Sequence, residues 1–244
     1  MKNYNRLLAA LLAVPAVLLR VIQNRTGFEE SGLAVPLSLP GLLLLVLFVA
    51  AAAYFAVAAR ALPGRHGSSA SLESAFHLEG NTLGIARAVS GTFLLLLAAA
   101  AVVMGRGSLN TILLAPLAAV SALCLLYAVF ALYRGGEVKG VALLVPVCAL
   151  VVYLIFLYRA DAADPVLARV YVEILAASAL SFSALELAAF AFRNGSPRLW
   201  FPLASMTAIL CLTAAADVGS PARMAFFIGG ALVELGFLTS FELS

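Results

Sequence analysis

The stretch Leu95-Leu96-Leu97-Ala98-Ala99-Ala100-Ala101-Val102-Val103 contains no polar side chain. It has neither the polar stripe of a surface helix nor the alternation of a barrel strand, whose every second residue faces a wet lumen. Extended to Ile85 and Met104, the run is long enough as a helix to cross a bilayer core of about 30 Å, which takes about 20 residues at roughly 1.5 Å each. Backbone groups in lipid must be satisfied internally, so a continuous apolar run of this kind is helical.

Seven further runs pass the same test, giving eight: Leu7 to Ile22, Leu42 to Leu62, Ile85 to Met104, Thr111 to Tyr133, Val141 to Tyr158, Val170 to Phe192, Trp200 to Ala215, and Met224 to Leu243. Hydrophobic residues make up 64% of the chain and charged ones 11%. With a mean hydropathy of +1.08, too few polar side chains remain to coat an aqueous globule. The expected fold class is all-α, a polytopic transmembrane bundle forming a single integral membrane domain over residues 1–244. Met1 to Ala16 resembles a signal peptide, since Lys2 and Arg6 precede an apolar core. Arg20 and Gln23 at the end of the run, and the seven spans beyond it, favour a retained first helix.

Positive charge sets orientation, because Lys and Arg are held on the cytoplasmic side. With the N-terminus inside, nine basic residues fall on the inner face (Lys2, Arg6, Arg60, Arg65, Arg87, Arg134, Lys139, Arg193, Arg198) and six on the outer (Arg20, Arg25, Arg106, Arg159, Arg169, Arg223). Both termini are then cytoplasmic. The inner charges form no continuous stripe despite the net +3, so they suit anchoring to anionic lipid headgroups and argue against a nucleic-acid partner.

The breaks between spans are mostly short glycine turns that make antiparallel neighbours: 105–107, 134–136 and 193–198. The inner loop is longer. Within it Ser71 to His77 is read as a plain surface loop; the alternative is a docking or regulatory element, and a short helix formed here could lie flat on the membrane, with Leu72, Phe76 and Leu83 dipping into the interface and Glu73 and His77 on a wet face. No internal repeat of the kind that marks many transporters is visible.

Several chemistries are set aside. The chain has no phosphate-binding Gly-rich loop, no His-Glu-x-x-His helix and no Gly-x-Ser-x-Gly elbow. Its two histidines, His66 and His77, both lie in the inner loop, which leaves only a loosely spaced Glu73, His66 and His77 set as a metal-ligand combination. No cofactor is implied. The three cysteines, Cys124, Cys148 and Cys211, fall inside spans and read as small apolar residues.

Ionisable groups at membrane depth are the places to look for function, because each costs about 2.5–3.5 kcal/mol on insertion scales. Glu234 lies in the last span within Gly229-Gly230-Ala231-Leu232-Val233-Glu234-Leu235-Gly236, whose small residues admit a close neighbour. It reads either as a proton- or cation-binding carboxylate or as a buried acid satisfied by nearby hydroxyls. Depth pairs Glu186 with Arg87 as an inner clasp, and Arg20 with Glu173 as an outer one, with Arg169 as a rival partner within the helix. Asp217 reads as a solvated end residue or a helix-breaking cap. Ser178, Ser181, Ser183, Ser205, Thr207 and Thr213 are expected to join neighbouring helices, and Pro15, Pro116 and Pro146 to kink theirs.

The stretch Ala163-Asp164-Pro165-Val166-Leu167, continuing through Tyr171, Glu173, Leu175 and Phe190-Ala191-Phe192, resembles an uncharacterised family of small polytopic membrane proteins of Firmicutes. The likeness extends through Pro197-Arg198 and Leu212-Thr213-Ala214-Ala215-Ala216-Asp217, with a weaker echo at Thr26-Gly27-Phe28 and Ser31-Gly32-Leu33. It implies an eight-helix protein of the bacterial cytoplasmic (inner) membrane and carries no activity. The residues themselves point to a non-enzymatic protein that binds or moves a small solute or lipid. The alternatives are a structural or regulatory subunit contacting other membrane proteins, and an interfacial acid–base enzyme.

Overall fold

The computed structural model describes residues 3–28, 35, 38–62, 71–76, 78, 81–104, 109–161, 167–217 and 220–241, with the side chains of 3–6, 109–114, 160–161 and 167–170 outside that description. The helices are α1 (Asn3–Thr26), α2 (Leu39–Ala59), α3 (Leu72–Ala75), α4 (Thr82–Met104), α5 (Leu109–Tyr133), α6 (Gly140–Asp161), α7 (Leu167–Ala191), α8 (Pro197–Ala215) and α9 (Pro221–Ser240). All but the single turn α3 are long and apolar enough to cross a membrane, eight in total among the described residues. The chain is thus an all-α, multi-pass membrane protein. Inner and outer below denote the sides assigned by charge.

Hydropathy places the starts of the last two spans too late. α8 and α9 begin at Pro197 and Pro221, because proline has no amide to lose in a first turn and its φ is already helical. The polar residues that follow, Arg198 and Arg223, hide these turns from a hydropathy window. Pro15, Pro116 and Pro146, and also Pro202, lie within helices that run through them unbroken.

Pairwise packing runs α4–α5–α6–α7–α8–α9 and returns from α9 to α4, while α1 and α2 lie outside this ring against α8. The first five contacts follow from short turns. The closing α4·α9 contact joins helices remote in sequence and is made by glycine. A Cβ on Gly91 would lie 2.6 Å from the Gly229 carbonyl oxygen, one on Gly229 2.9 Å from the Gly91 oxygen, and one on Gly236 2.7 Å from the Ala88 nitrogen. Backbone thus meets backbone on both helices, which maximises dispersion where lipid supplies no hydrophobic drive.

The hydroxyls expected to bridge helices mostly bond within their own. Ser178, Ser181, Ser205, Thr207 and Thr213 donate to the carbonyls of Ile174, Ala177, Phe201, Leu203 and Ile209, each four residues earlier, at 2.7–2.8 Å. A helix offers this acceptor wherever a hydroxyl falls, so no neighbour is needed.

Gly91→Ala is expected to lower stability by about 1–3 kcal/mol despite alanine's better helix propensity, because rigid backbone meets the new methyl. Gly136→Ala, whose Cβ would meet the Ala131 oxygen at an ordinary 3.5 Å, should change it by less than about 0.5 kcal/mol. Thermal unfolding in mild detergent distinguishes the two, and equal melting temperatures would refute the glycine seam.

Candidate functional site

The glycine seam fixes the rotation of α9. Gly229, Val233 and Gly236 face α4, so the stripe about 100° round the helix, Arg223, Phe226, Gly230 and Glu234, faces the ring interior. There these four residues line a cavity of about 400 Å³, with further walls from α4 (Leu95, Val102), α5 (Ala118, Ser121), α6 (Leu150, Tyr153) and α7 (Leu180, Ala184). The volume lies in the range of small-molecule sites, about 300–1,000 Å³.

Glu234, only 5% exposed, is the deepest α9 residue of the lining, thirteen positions from Pro221 and six from Ser240. Among the described residues no basic side chain forms a salt bridge with it. The fully buried Ser183 hydroxyl lies beside its carboxyl but outside hydrogen-bonding geometry and with no other partner among the described residues. Ser183 is thus unlike Ser178 and Ser181 on the same helix, which are satisfied by their own carbonyls. The cavity reaches the outer face, where Arg159 and Arg223 line it; Arg159 is exposed and the Arg223 side chain is 44% exposed.

The two clasps inferred from depth are rearranged. Arg20 is fully buried and donates to Asp217 at 2.6 Å and to Gln23 at 2.8 Å, with its guanidinium 5.1 Å from the centre of the Tyr171 ring. Asn24 also donates to Asp217, at 2.8 Å. Asp217 is therefore a buried partner, 4% exposed in its side chain, and not a solvated end residue. Its charge at the C-terminal end of α8 opposes the helix dipole, and Arg20 compensates for that. Glu173 sits on the same side of the bundle and pairs with Arg223 at 3.5 Å; the Arg169 side chain lies outside the described residues.

On the inner side, Glu186 accepts from the Ser196 amide at 3.4 Å, across the α7–α8 turn. Arg87 is on α4, which packs on α5 and α9, whereas α7 packs on α6 and α8. One Arg87 guanidinium nitrogen, Nη1, is buried with no hydrogen-bond partner among the described residues. Depth alone suggested a contact that the order of helices around the ring does not provide.

At the inner end the described part of the loop packs into the bundle. Ser71 to Phe76 does not lie flat on the membrane: Leu72, Ala75 and Phe76 are buried in the bundle, while Leu83 is exposed at 52%. Phe76 packs edge-on against Phe190, Trp200 and Phe237, with ring centres 5.4, 4.8 and 5.5 Å away, and pairs by backbone with Phe241. Asn81 donates to the Thr239 carbonyl at 2.9 Å and accepts from the Gly84 amide at 3.0 Å. Glu73 accepts from the Val138 amide at 3.1 Å. Partial burial works against the Glu73 charge, but hydrogen bonds from its own backbone, Ser71 and Val138, with Arg193 nearby, outweigh this and hold its carboxyl below the usual range. Arg193 takes a left-handed conformation (φ 57°) at the end of α7, a position that normally selects glycine.

His66 and His77 lie outside the described residues, and among the described residues no cluster of three metal-ligating side chains occurs. No known family, curated protein or solved structure matches the chain.

Asp217→Ala leaves Arg20 charged and buried and is expected to cost about 3 kcal/mol. Adding Arg20→Met should recover part of that loss in a double-mutant cycle, and strictly additive losses would show that the two are uncoupled. Because the Glu73 carboxyl is depressed, its contribution is complete above its unfolded value near 4.5 and is lost as pH falls through the lower folded value. Proteolysis within the 71–81 loop should therefore accelerate on acidification in wild type, whereas Glu73→Gln should be cut readily at neutral pH; a wild-type rate independent of pH counts against the contact.

Proposed function

We propose that this protein binds a small solute or lipid within its helix bundle, and moves it, in a bacterial cytoplasmic membrane, without catalysing a reaction. The observation that carries the reading is that Glu234 faces a cavity of about 400 Å³ and neither a sealed polar contact nor lipid. An intramembrane carboxylate is costly and persists where it has a use. With Ser183 it supplies the cavity's deep polar end, one carboxyl and one unengaged hydroxyl, suited to a proton, a cation or a hydrogen-bond donor on the solute.

A subunit role drew its support from the small-residue face Gly229 to Gly236. That face meets α4 of the same chain at Gly229 and Gly236, which removes this support and leaves the subunit reading to the lipid-facing helices.

Dicyclohexylcarbodiimide, an apolar reagent for carboxyl groups in membranes, probes access to Glu234 from lipid. Protein in vesicles is expected to gain one adduct on Glu234, absent in Glu234→Gln and slowed by about tenfold or more in Ala184→Phe, which fills the cavity. An unreactive Glu234 in folded protein that reacts after denaturation would falsify the reading.

A further inference from the structure

The chemistry of the cavity's two ends defines a ligand more narrowly than its size does. At the outer end stand Arg159 and Arg223. Among the described residues Arg159 has no acidic partner, and Arg223 has Glu173 at a long 3.5 Å. Arg223 lies in the first turn of α9, where the helix already presents positive charge. That turn contains no acidic residue, and the side chain of Ser220 makes no cap hydrogen bond. Arginines at helix ends commonly reach bilayer headgroups, but these two also line a space inside the protein. Below them the walls are Leu95, Val102, Leu150 and Phe226, without a charged group until Glu234. Arg223 and Glu234 are eleven residues apart on one face of α9, so the apolar section is roughly 16 Å long.

Resting on the reading above, we infer that the cavity takes a single-chain anionic amphiphile from the outer side, its phosphate or carboxylate headgroup held by Arg159 and Arg223 and its chain lying along α9 towards Glu234. A cationic headgroup would meet two guanidinium groups. A water-soluble anion would leave the apolar walls without a partner, and a volume near the low end of ligand sites admits one chain and not two.

Full-length protein in nanodiscs of zwitterionic lipid tests the inference, with binding of dodecyl phosphate, dodecyltrimethylammonium, dodecyl maltoside and inorganic phosphate corrected against empty discs. Dodecyl phosphate is expected to bind about tenfold or more tightly than the other two amphiphiles, as suits charge-assisted hydrogen bonds, and inorganic phosphate is expected not to compete. Arg159→Gln and Arg223→Gln should each weaken dodecyl phosphate by about tenfold and leave dodecyl maltoside unchanged, while Ala184→Phe should weaken both amphiphiles. Indifference to headgroup charge, or preference for the cation, overturns the ligand class, as does phosphate competing as well as its dodecyl ester. If carbodiimide still reaches Glu234 in those cases, the cavity reading stands without this ligand. If no amphiphile binds and Glu234 is unreactive, both fall.

Discussion

The backbone contact between α4 and α9 is the constraint on which the remaining architecture depends. Lipid tails are as apolar as leucine, so two helices gain little by hiding side chains from them and must instead gain dispersion by close approach. Gly91 and Gly229 meet so that a methyl on either would collide with the other's carbonyl. This contact closes the ring begun by five short-range pairings, and it sets the rotation of α9. Once Gly229, Val233 and Gly236 face α4, helical geometry turns Gly230 and Glu234 inward. A carboxylate that would be expensive against lipid is thereby placed against a cavity.

Hydropathy made the eight spans legible because a bilayer imposes one length and one polarity on each. It could not reveal which helices are neighbours. Arg87 and Glu186 were matched by depth, which is a coordinate along the membrane normal, yet α4 and α7 occupy different parts of the ring. The outer residues show the same limit: Arg20 and Glu173 come to one side of the bundle, but Arg20 takes Asp217 and Glu173 takes Arg223. Glu234 was legible, since it is an acid amid small residues, but Arg159 and Arg223 were read only as orienting charges. Their spacing held a signal that was missed, because Arg223 and Glu234 lie three helical turns apart on one face.

Hydroxyl groups gave the opposite error. Serine and threonine in a helix have a carbonyl within reach one turn back, so composition alone overstates their use between helices. Once those local bonds are assigned, Ser183 remains, fully buried and unengaged beside Glu234. An unmet buried hydroxyl costs about 1–3 kcal/mol, and its position at the deep end of the cavity ties that cost to the candidate site.

The two ends of the bundle are built differently, and on the proposed reading the difference bears on how a ligand is held. At the outer end the exposed side chains of Arg159 and Arg223 line the cavity rim. At the inner end Phe76 sits among Phe190, Trp200, Phe237 and Phe241, and each edge-on pair contributes about 0.5–1.5 kcal/mol beyond its burial. The loop that carries Phe76 is also fastened by Asn81 to α9 and by Glu73 to the α5–α6 turn. Against this, the Trp200 indole nitrogen is buried with no hydrogen-bond partner among the described residues, and Arg193 is held in a backbone conformation costly for a residue with a Cβ. The inner end therefore combines strong contacts with two local costs. On the proposed reading, a ligand entering past Arg159 and Arg223 reaches Glu234, thirteen residues along α9 from Pro221, without meeting Phe76, which does not line the cavity. On that reading a ligand can be held without disturbing the aromatic contacts of Phe76.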